Sequence, residues 1–228
     1  QRFPDISHAY DGRSVIVWMD DVTDGSGAGI YAQKFLSNGS GTGPQFRVNN
    51  LVPNHQKFPR VSMNQNGGHV VIWMTVALNG SSFQIQASRS TFAGSPSLEI
   101  PVTPPSPTYK GMPAVALDNS GGFVAVWQAA GVDGDGMAIR GQRFNSASMP
   151  IGMPFTVNTT TTGNQTAPDI AMDAAGNFVV VWSSYGQDGD KDGVYGQKYT
   201  AAGAADGGEY MISTTTADGQ TEPRVTMT

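Results

Sequence analysis

The chain has 228 residues, a formal net charge of −5 and a sequence pI near 5.0. This acidic balance argues against nucleic acids and anionic membrane surfaces as partners, because both attract basic patches, and no apolar run approaches the roughly 20 residues of a membrane span. The composition of 29 Gly, 14 Pro and no Cys argues against a helical bundle and excludes disulfides, thiolate zinc sites and cysteine nucleophiles.

The first quarter of the chain predicts four short strands joined by turns. In chain order, the predicted strands lie at residues 4–10, 15–18, 31–35 and 46–49. The second strand is apolar on both faces, which predicts burial on both sides. Asp11-Gly12 and Asp24-Gly25 mark turns, because these residue types tolerate positive φ. We find no helical periodicity in this segment or in any later one.

The same pattern recurs along the whole chain. The four tryptophans recur at a nearly constant interval, at Trp18, Trp73, Trp127 and Trp182. A proline precedes each tryptophan by the same interval every time, and a fifth proline, Pro223, follows. The predicted repeats are therefore 4–58, 59–112, 113–167 and 168–222, with an extra terminal strand at 223–228. The chain is predicted to form a single array over residues 1–228.

Four strands in about 55 residues, repeated in tandem, predict an all-β fold, a β-propeller of four four-stranded repeats. A sheet of this size cannot bury both of its faces alone, so the sheets are expected to stack radially with one tryptophan in each interface. The extra strand at 223–228 leaves the closure open. We favour a four-bladed ring, while a fragment of a larger ring and a ring shared by two chains stay open.

Several strings in the repeats resemble those of large secreted bacterial repeat proteins of the calcium-dependent adhesin and haemolysin type. Residues 24–35 read DGSGAGIYAQKF and resemble the block DGSGxGIYAQRF of these repeats. Residues 176–182 read GNFVVVW, and a Gln stands three positions before Pro59, Pro168 and Pro223. The second repeat departs furthest, because it lacks the Gln-Lys-Phe block and carries a Pro-rich segment at 101–107.

The resemblance implies an extracellular or cell-surface protein, with a bacterial source suspected, that acts as a binding or adhesion module. The chain opens with Gln1-Arg2-Phe3-Pro4, so we expect that any targeting segment has been removed. A surface glycan or a protein is the expected ligand. The terminal strands could also pair with another chain, because exposed strand edges recruit further strands.

Calcium is the one cofactor that the sequence suggests. Residues 188–193 read DGDKDG, and alternating carboxylates on a tight loop can converge on one hard cation. The positions that complete an EF-hand loop carry Gly196 and Tyr199, so further ligands would have to come from elsewhere. The candidate metal ligands, from the fourth, third and first repeats, are Asp188, Asp190, Asp192, Asp133, Asp135 and Asp24. The alternative is that these loops are ordinary hairpin turns with solvated acids.

No catalytic motif stands out. The sequence lacks a nucleophile elbow, a phosphate loop and a dinucleotide fingerprint, so no catalytic residue is predicted and we favour a non-enzymatic binding module. Two alternatives stay open: a structural segment of a larger surface assembly or filament, and a carbohydrate-active enzyme on a propeller scaffold. The tryptophans could stack on sugars, but their equivalent positions at the ends of apolar strands favour packing between sheets.

Overall fold

A computed structural model describes residues 1–21, 27–51, 53–96 and 99–227. Within these ranges every regular element is a β-strand, and the strands form four antiparallel four-stranded sheets, called blades 1 to 4. Blade 1 contains β1 (Arg2–His8), β2 (Ser14–Asp20), β3 (Gly29–Phe35) and β4 (Phe46–Arg47). Blade 2 contains β5 (His55–Met63), β6 (His69–Val76), β7 (Phe83–Ser90) and β8 (Ile100–Pro101).

Blade 3 contains β9 (Lys110–Leu117), β10 (Phe123–Ala130), β11 (Met137–Phe144) and β12 (Pro150–Thr156). Blade 4 contains β13 (Gln165–Met172), β14 (Phe178–Tyr185), β15 (Asp192–Tyr199) and β16 (Ala205–Met211). Each strand pairs with its neighbours in sequence, so every blade is a simple meander. The predicted all-β propeller is confirmed. None of the described residues belongs to a helix long and apolar enough to cross a membrane.

The prolines that mark the repeats lie at shifts of register in the first strand of each blade, which is the strand nearest the axis. In blade 2 the register of β5 against β6 shifts between Lys57 and Arg60, which accommodates Pro59 because proline has no N–H to donate to a ladder. The residue before each of the five prolines has a positive φ between 46° and 54°, at Phe3, Phe58, Met112, Ala167 and Glu222. These residues project at equivalent positions around one axis.

The C-terminal segment 223–227 continues this series. The N–H of Val225 donates to Asp169 Oδ2 over 3.0 Å, as the N–H of Val61 donates to Asp5 Oδ2 over 2.8 Å. Both bonds join residues 56 positions apart. The segment therefore stands beside β13 as β5 stands beside β1, and five chain segments surround the axial channel. Of the closures that the sequence left open, this arrangement fits a ring larger than four blades.

The core lies between the blades. Trp73, Trp127 and Trp182 are buried in three separate apolar clusters. Trp182, for example, packs with Val124 and Ile139 of the preceding blade. Each of the three therefore fills the slot between its own blade and the one before it, as the repeat predicts, and these rings are not available to stack on a ligand.

Candidate functional site

The five residues with positive φ and four of the prolines that follow them line a depression at one end of the axis, called the axial mouth. The mouth has a volume of about 230 Å³, and its lining is Phe3, Pro4, Phe58, Pro59, Arg60, Met112, Pro113, Ala167, Pro168, Glu222 and Arg224. The rings of Phe3 and Phe58 meet edge to face, with 4.6 Å between centroids. Phe3 keeps 47% of its surface exposed. The lining is thus mainly apolar, with two guanidinium groups and one carboxylate as its charged groups.

Arg60 closes the mouth toward the channel and binds two carboxylates from different blades. Its Nη2 lies 2.6 Å from Asp169 Oδ1 of blade 4, and its Nε lies 3.4 Å from Asp5 Oδ2 of blade 1. These three residues also line the axial channel, which has a volume of about 400 Å³. One guanidinium therefore ties blades 1, 2 and 4 together across the axis.

The carboxylates of Asp5 and Asp169 are already engaged in contacts within the protein. Burial raises the pKa of Asp169 above its usual value, and the charge of Arg60 offsets part of that shift. Each carboxylate also accepts a backbone N–H from a neighbouring segment, as described above for Val61 and Val225. The two groups are engaged in holding the ring.

The carboxylates and rings of the mouth can be compared with what hydrolysis and binding each need. Glycoside hydrolysis needs two carboxyl groups about 5–9.5 Å apart that both reach the scissile bond. Among the described residues that line the mouth, Glu222 alone carries a carboxylate. Apolar rings with a few convergent charged groups are the usual composition of a small-ligand site.

The predicted metal ligands of the fourth repeat lie in the β14–β15 loop and at the start of β15. Asp188 Oδ1 accepts the N–H of Asp190 over 3.3 Å, and Asp190 Oδ2 accepts the N–H of Asp218 over 2.9 Å. The carbonyl of Asp192 accepts the N–H of Gln220 over 2.6 Å. Asp188 Oδ2 is buried and has no hydrogen-bond partner.

The predicted ligands of the third repeat are engaged in the β10–β11 loop. Asp133 Oδ2 accepts the amide of Asn158 over 2.9 Å, and Asp135 Oδ2 accepts the N–H of Gly163 over 3.0 Å. Asp24 lies outside the described residues. Within the described ranges, no three His, Asp or Glu side chains are grouped so that they could hold a metal ion. Calcium binding by these loops stays a prediction.

Sequence reasoning did not single out the residues of the axial mouth. The sequence does contain a signal for them, since four of the five residues that follow the repeat prolines are charged. These five residues are Asp5, Arg60, Ala114, Asp169 and Arg224. Charges of opposite sign at equivalent positions of a radial array predict contacts across the axis. The pairing of Arg60 with both aspartates joins three different repeats, so it depends on how the blades are placed around the axis.

Comparison with known proteins supports the fold. No protein-family profile and no curated protein matches the sequence. Among solved structures, the chain is similar to a thermostable family-43 glycoside hydrolase, with a TM-score of 0.58, 9% identity, and coverage of 96% of this chain and 73% of the other. It is also similar to an exo-β-1,3-galactanase from Phanerochaete chrysosporium with β-1,3-galactotriose, with a TM-score of 0.55, 10% identity, and coverage of 92% and 50%.

A third similar structure is a GH62 hydrolase in complex with xylotriose, with a TM-score of 0.51, 12% identity, and coverage of 90% of this chain and 67% of the other. At these identities the likeness concerns the fold alone. Function has to be argued from the site itself.

Proposed function

We propose that the protein is a glycan-binding module and that the axial mouth is its ligand site. The observation that carries this proposal is the composition of the mouth, an aromatic and apolar depression with Arg60, Glu222 and Arg224 as its charged groups. Aromatic rings can pack on the apolar face of a sugar, and charged groups form strong hydrogen bonds with its hydroxyls. Two of the similar structures hold oligosaccharides, which agrees with a ligand of this class.

Binding without hydrolysis fits the chemistry of the site. Asp5 and Asp169 are both held by Arg60, which leaves Glu222 as the carboxylate of the described lining that can face a ligand. A module of this kind serves adhesion when it is displayed outside a cell, so the surface location that the resemblance implies belongs to the same proposal.

The test is a binding measurement with defined oligosaccharides. Xylotriose, β-1,3-galactotriose and arabinan oligosaccharides are titrated calorimetrically into the parent protein and into Glu222→Gln and Arg224→Gln. Both side chains are exposed, so these variants should fold. We expect each to weaken binding about tenfold, the loss of one charge-assisted hydrogen bond. Tyr10→Ala is the matched control, because Tyr10 is 92% exposed and lies outside the mouth. If the two mouth variants bind as the parent and the control do, the mouth is not the site.

The second candidate function is glycoside hydrolysis at the same axis. It is favoured by the raised pKa of Asp169, since a carboxyl group with a raised pKa can act as a general acid. The same oligosaccharides are incubated with the protein, and new reducing ends are measured. Turnover that is lost in both Asp169→Asn and Glu222→Gln would replace the binding proposal by the enzymatic one. Binding without turnover retains the first.

A further inference from the structure

Blades 1 and 3 share a small polar cradle that is filled by an asparagine amide. In blade 3 the Nδ2 of Asn158 donates to Asp133 Oδ2 (2.9 Å), to the Thr160 carbonyl (2.9 Å) and to Gln165 Oε1 (3.2 Å). Its Oδ1 accepts the N–H of Ile139 over 2.8 Å. One amide nitrogen, with its two N–H bonds, thus lies within hydrogen-bond distance of three oxygen atoms.

Blade 1 repeats this arrangement at the equivalent positions. The Nδ2 of Asn49 donates to the Leu51 carbonyl over 2.9 Å and to Gln56 Oε1 over 3.3 Å. Its Oδ1 accepts the N–H of Ile30 over 2.8 Å. Blades 1 and 3 therefore share the cradle, whereas in blade 2 Thr103 Oγ1 accepts the equivalent N–H, that of Ile85, over 3.0 Å.

Blade 4 has an aspartate and a glutamine at the same positions as blade 3, Asp188 and Gln220, but it carries Ser213 at the asparagine position. Ser213 stands as far beyond Trp182 in sequence as Asn158 stands beyond Trp127, and its Oγ accepts the N–H of Val194 over 3.2 Å. The amide Nε2 of Gln220 donates to the Ala217 carbonyl over 2.9 Å, matching the bond of Gln165 to Thr162 over 3.0 Å in blade 3.

In blade 4 two oxygen atoms of the cradle lack donors. In blade 3 the Asn158 amide lies against Asp133 Oδ2 and Gln165 Oε1, while Asp133 Oδ1 is buried without a partner there too. Asp188 Oδ2 and Gln220 Oε1 are both buried from solvent and accept no hydrogen bond. They are the equivalents of Asp133 and Gln165, whose oxygens face the amide nitrogen in blade 3. Thr215 is the equivalent of Thr160 in the repeat, so its carbonyl is the third oxygen expected at the cradle. A Cβ on Gly193 would lie 2.7 Å from Asp188 Oδ2, so glycine there lets the carboxylate lie against the strand.

We propose that blade 4 binds a calcium ion in the place that the asparagine amide fills in blade 3, with Asp188 Oδ2, Gln220 Oε1 and the Thr215 carbonyl as its protein ligands. Carboxylate, amide and backbone oxygens are the donors that calcium takes, and water completes its coordination of six to eight oxygens. The nearby ammonium group of Lys191 pairs with Asp218 over 2.8 Å and leaves Asp188 to the ion.

This site differs from the loop that the DGDKDG string predicts. Only Asp188 of the three predicted aspartates is a ligand. Asp190 Oδ2 is engaged with the N–H of Asp218, and Asp192 contributes its carbonyl to the bond with Gln220. The remaining ligands come from the segment after β16, far beyond Asp188 in sequence.

The test compares thermal melts in calcium and in excess chelator for the parent, Ser213→Asn and Ser213→Ala. The asparagine restores the amide of blade 3 and should fill the site. We expect calcium to raise the melting temperature of the parent and of Ser213→Ala by several degrees, because calcium binds only the folded chain. Ser213→Asn should melt at one temperature in both solutions, at or above that of the calcium-free parent.

Two results would overturn the proposal. If calcium leaves the parent unchanged while Ser213→Asn is stabilised, a water molecule satisfies the two oxygens and the site is not a metal site. If calcium stabilises Ser213→Asn as much as the parent, the ion binds elsewhere. The reciprocal variant Asn158→Ser keeps the proposal testable if Ser213→Asn does not fold. It should create a second calcium site in blade 3, so calcium should raise its melting temperature more than that of the parent.

Discussion

At the scale of single residues, His69 makes the fold sensitive to acid. The side chain is only 2% exposed, and burial lowers its pKa to about 4, with the charge of Lys34 acting in the same direction. The unfolded chain takes up a proton near pH 6.5, so the stabilisation is complete above pH 6.5 and is lost as the pH falls toward 4. The free energy of unfolding should drop by about 2–3 kcal/mol between pH 7.5 and 4.5 from this residue alone.

The check is urea denaturation of the parent and His69→Phe at both pH values. Phe123 and Phe178 occupy the equivalent position in blades 3 and 4, so phenylalanine is compatible with the repeat. On acidification, the free energy of unfolding of the variant should fall by about 2–3 kcal/mol less than that of the parent. An equal loss in both proteins would assign the acid sensitivity to other groups.

At the scale of elements, the interfaces between blades should dominate stability. Trp182 is fully buried between blades 3 and 4, whereas Trp18 of blade 1 is only partly buried. Trp182→Ala should therefore lower the free energy of unfolding by about 3–5 kcal/mol, and Trp18→Ala by much less. Urea denaturation of both variants measures this difference. Similar losses would mean that the first sheet is covered as completely as the others.

The strands and their fourfold repetition could be predicted because local signals carry them. Val-rich runs, Asp-Gly turns and evenly spaced prolines each specify structure within a short stretch of chain. The pairing of Arg60 with Asp5 and Asp169 depends on the angle between blades, which no local pattern encodes. The sequence predicted one ligand of the proposed blade 4 site, Asp188, from its string of alternating carboxylates. The role of Ser213 could not be predicted, because it follows only from a comparison with the hydrogen bonds of Asn158 in blade 3.

At the scale of the whole molecule, the segment 223–227 is expected to stabilise the array as a sheet neighbour. Val225 and Met227 pack on Ala171, Val179 and Val181 of blade 4, and the N–H of Val225 supports the buried carboxylate of Asp169. Removing residues 223–228 exposes this apolar face, and we expect a loss of about 2–4 kcal/mol from the two side chains and the hydrogen bond. The truncated chain should also self-associate, because an uncovered apolar sheet face favours contact between copies.

Calorimetry and gel filtration separate these two effects. The control is Thr226→Ser, which changes an exposed residue of the same segment and should leave both stability and elution volume unchanged. Val225→Ser with Met227→Ser should reproduce most of the loss with the chain length preserved. If truncation changes neither the melting temperature nor the elution volume, the segment is not part of the ring, and the axial arrangement of five segments would have to be abandoned together with the mouth that Glu222 and Arg224 help to build.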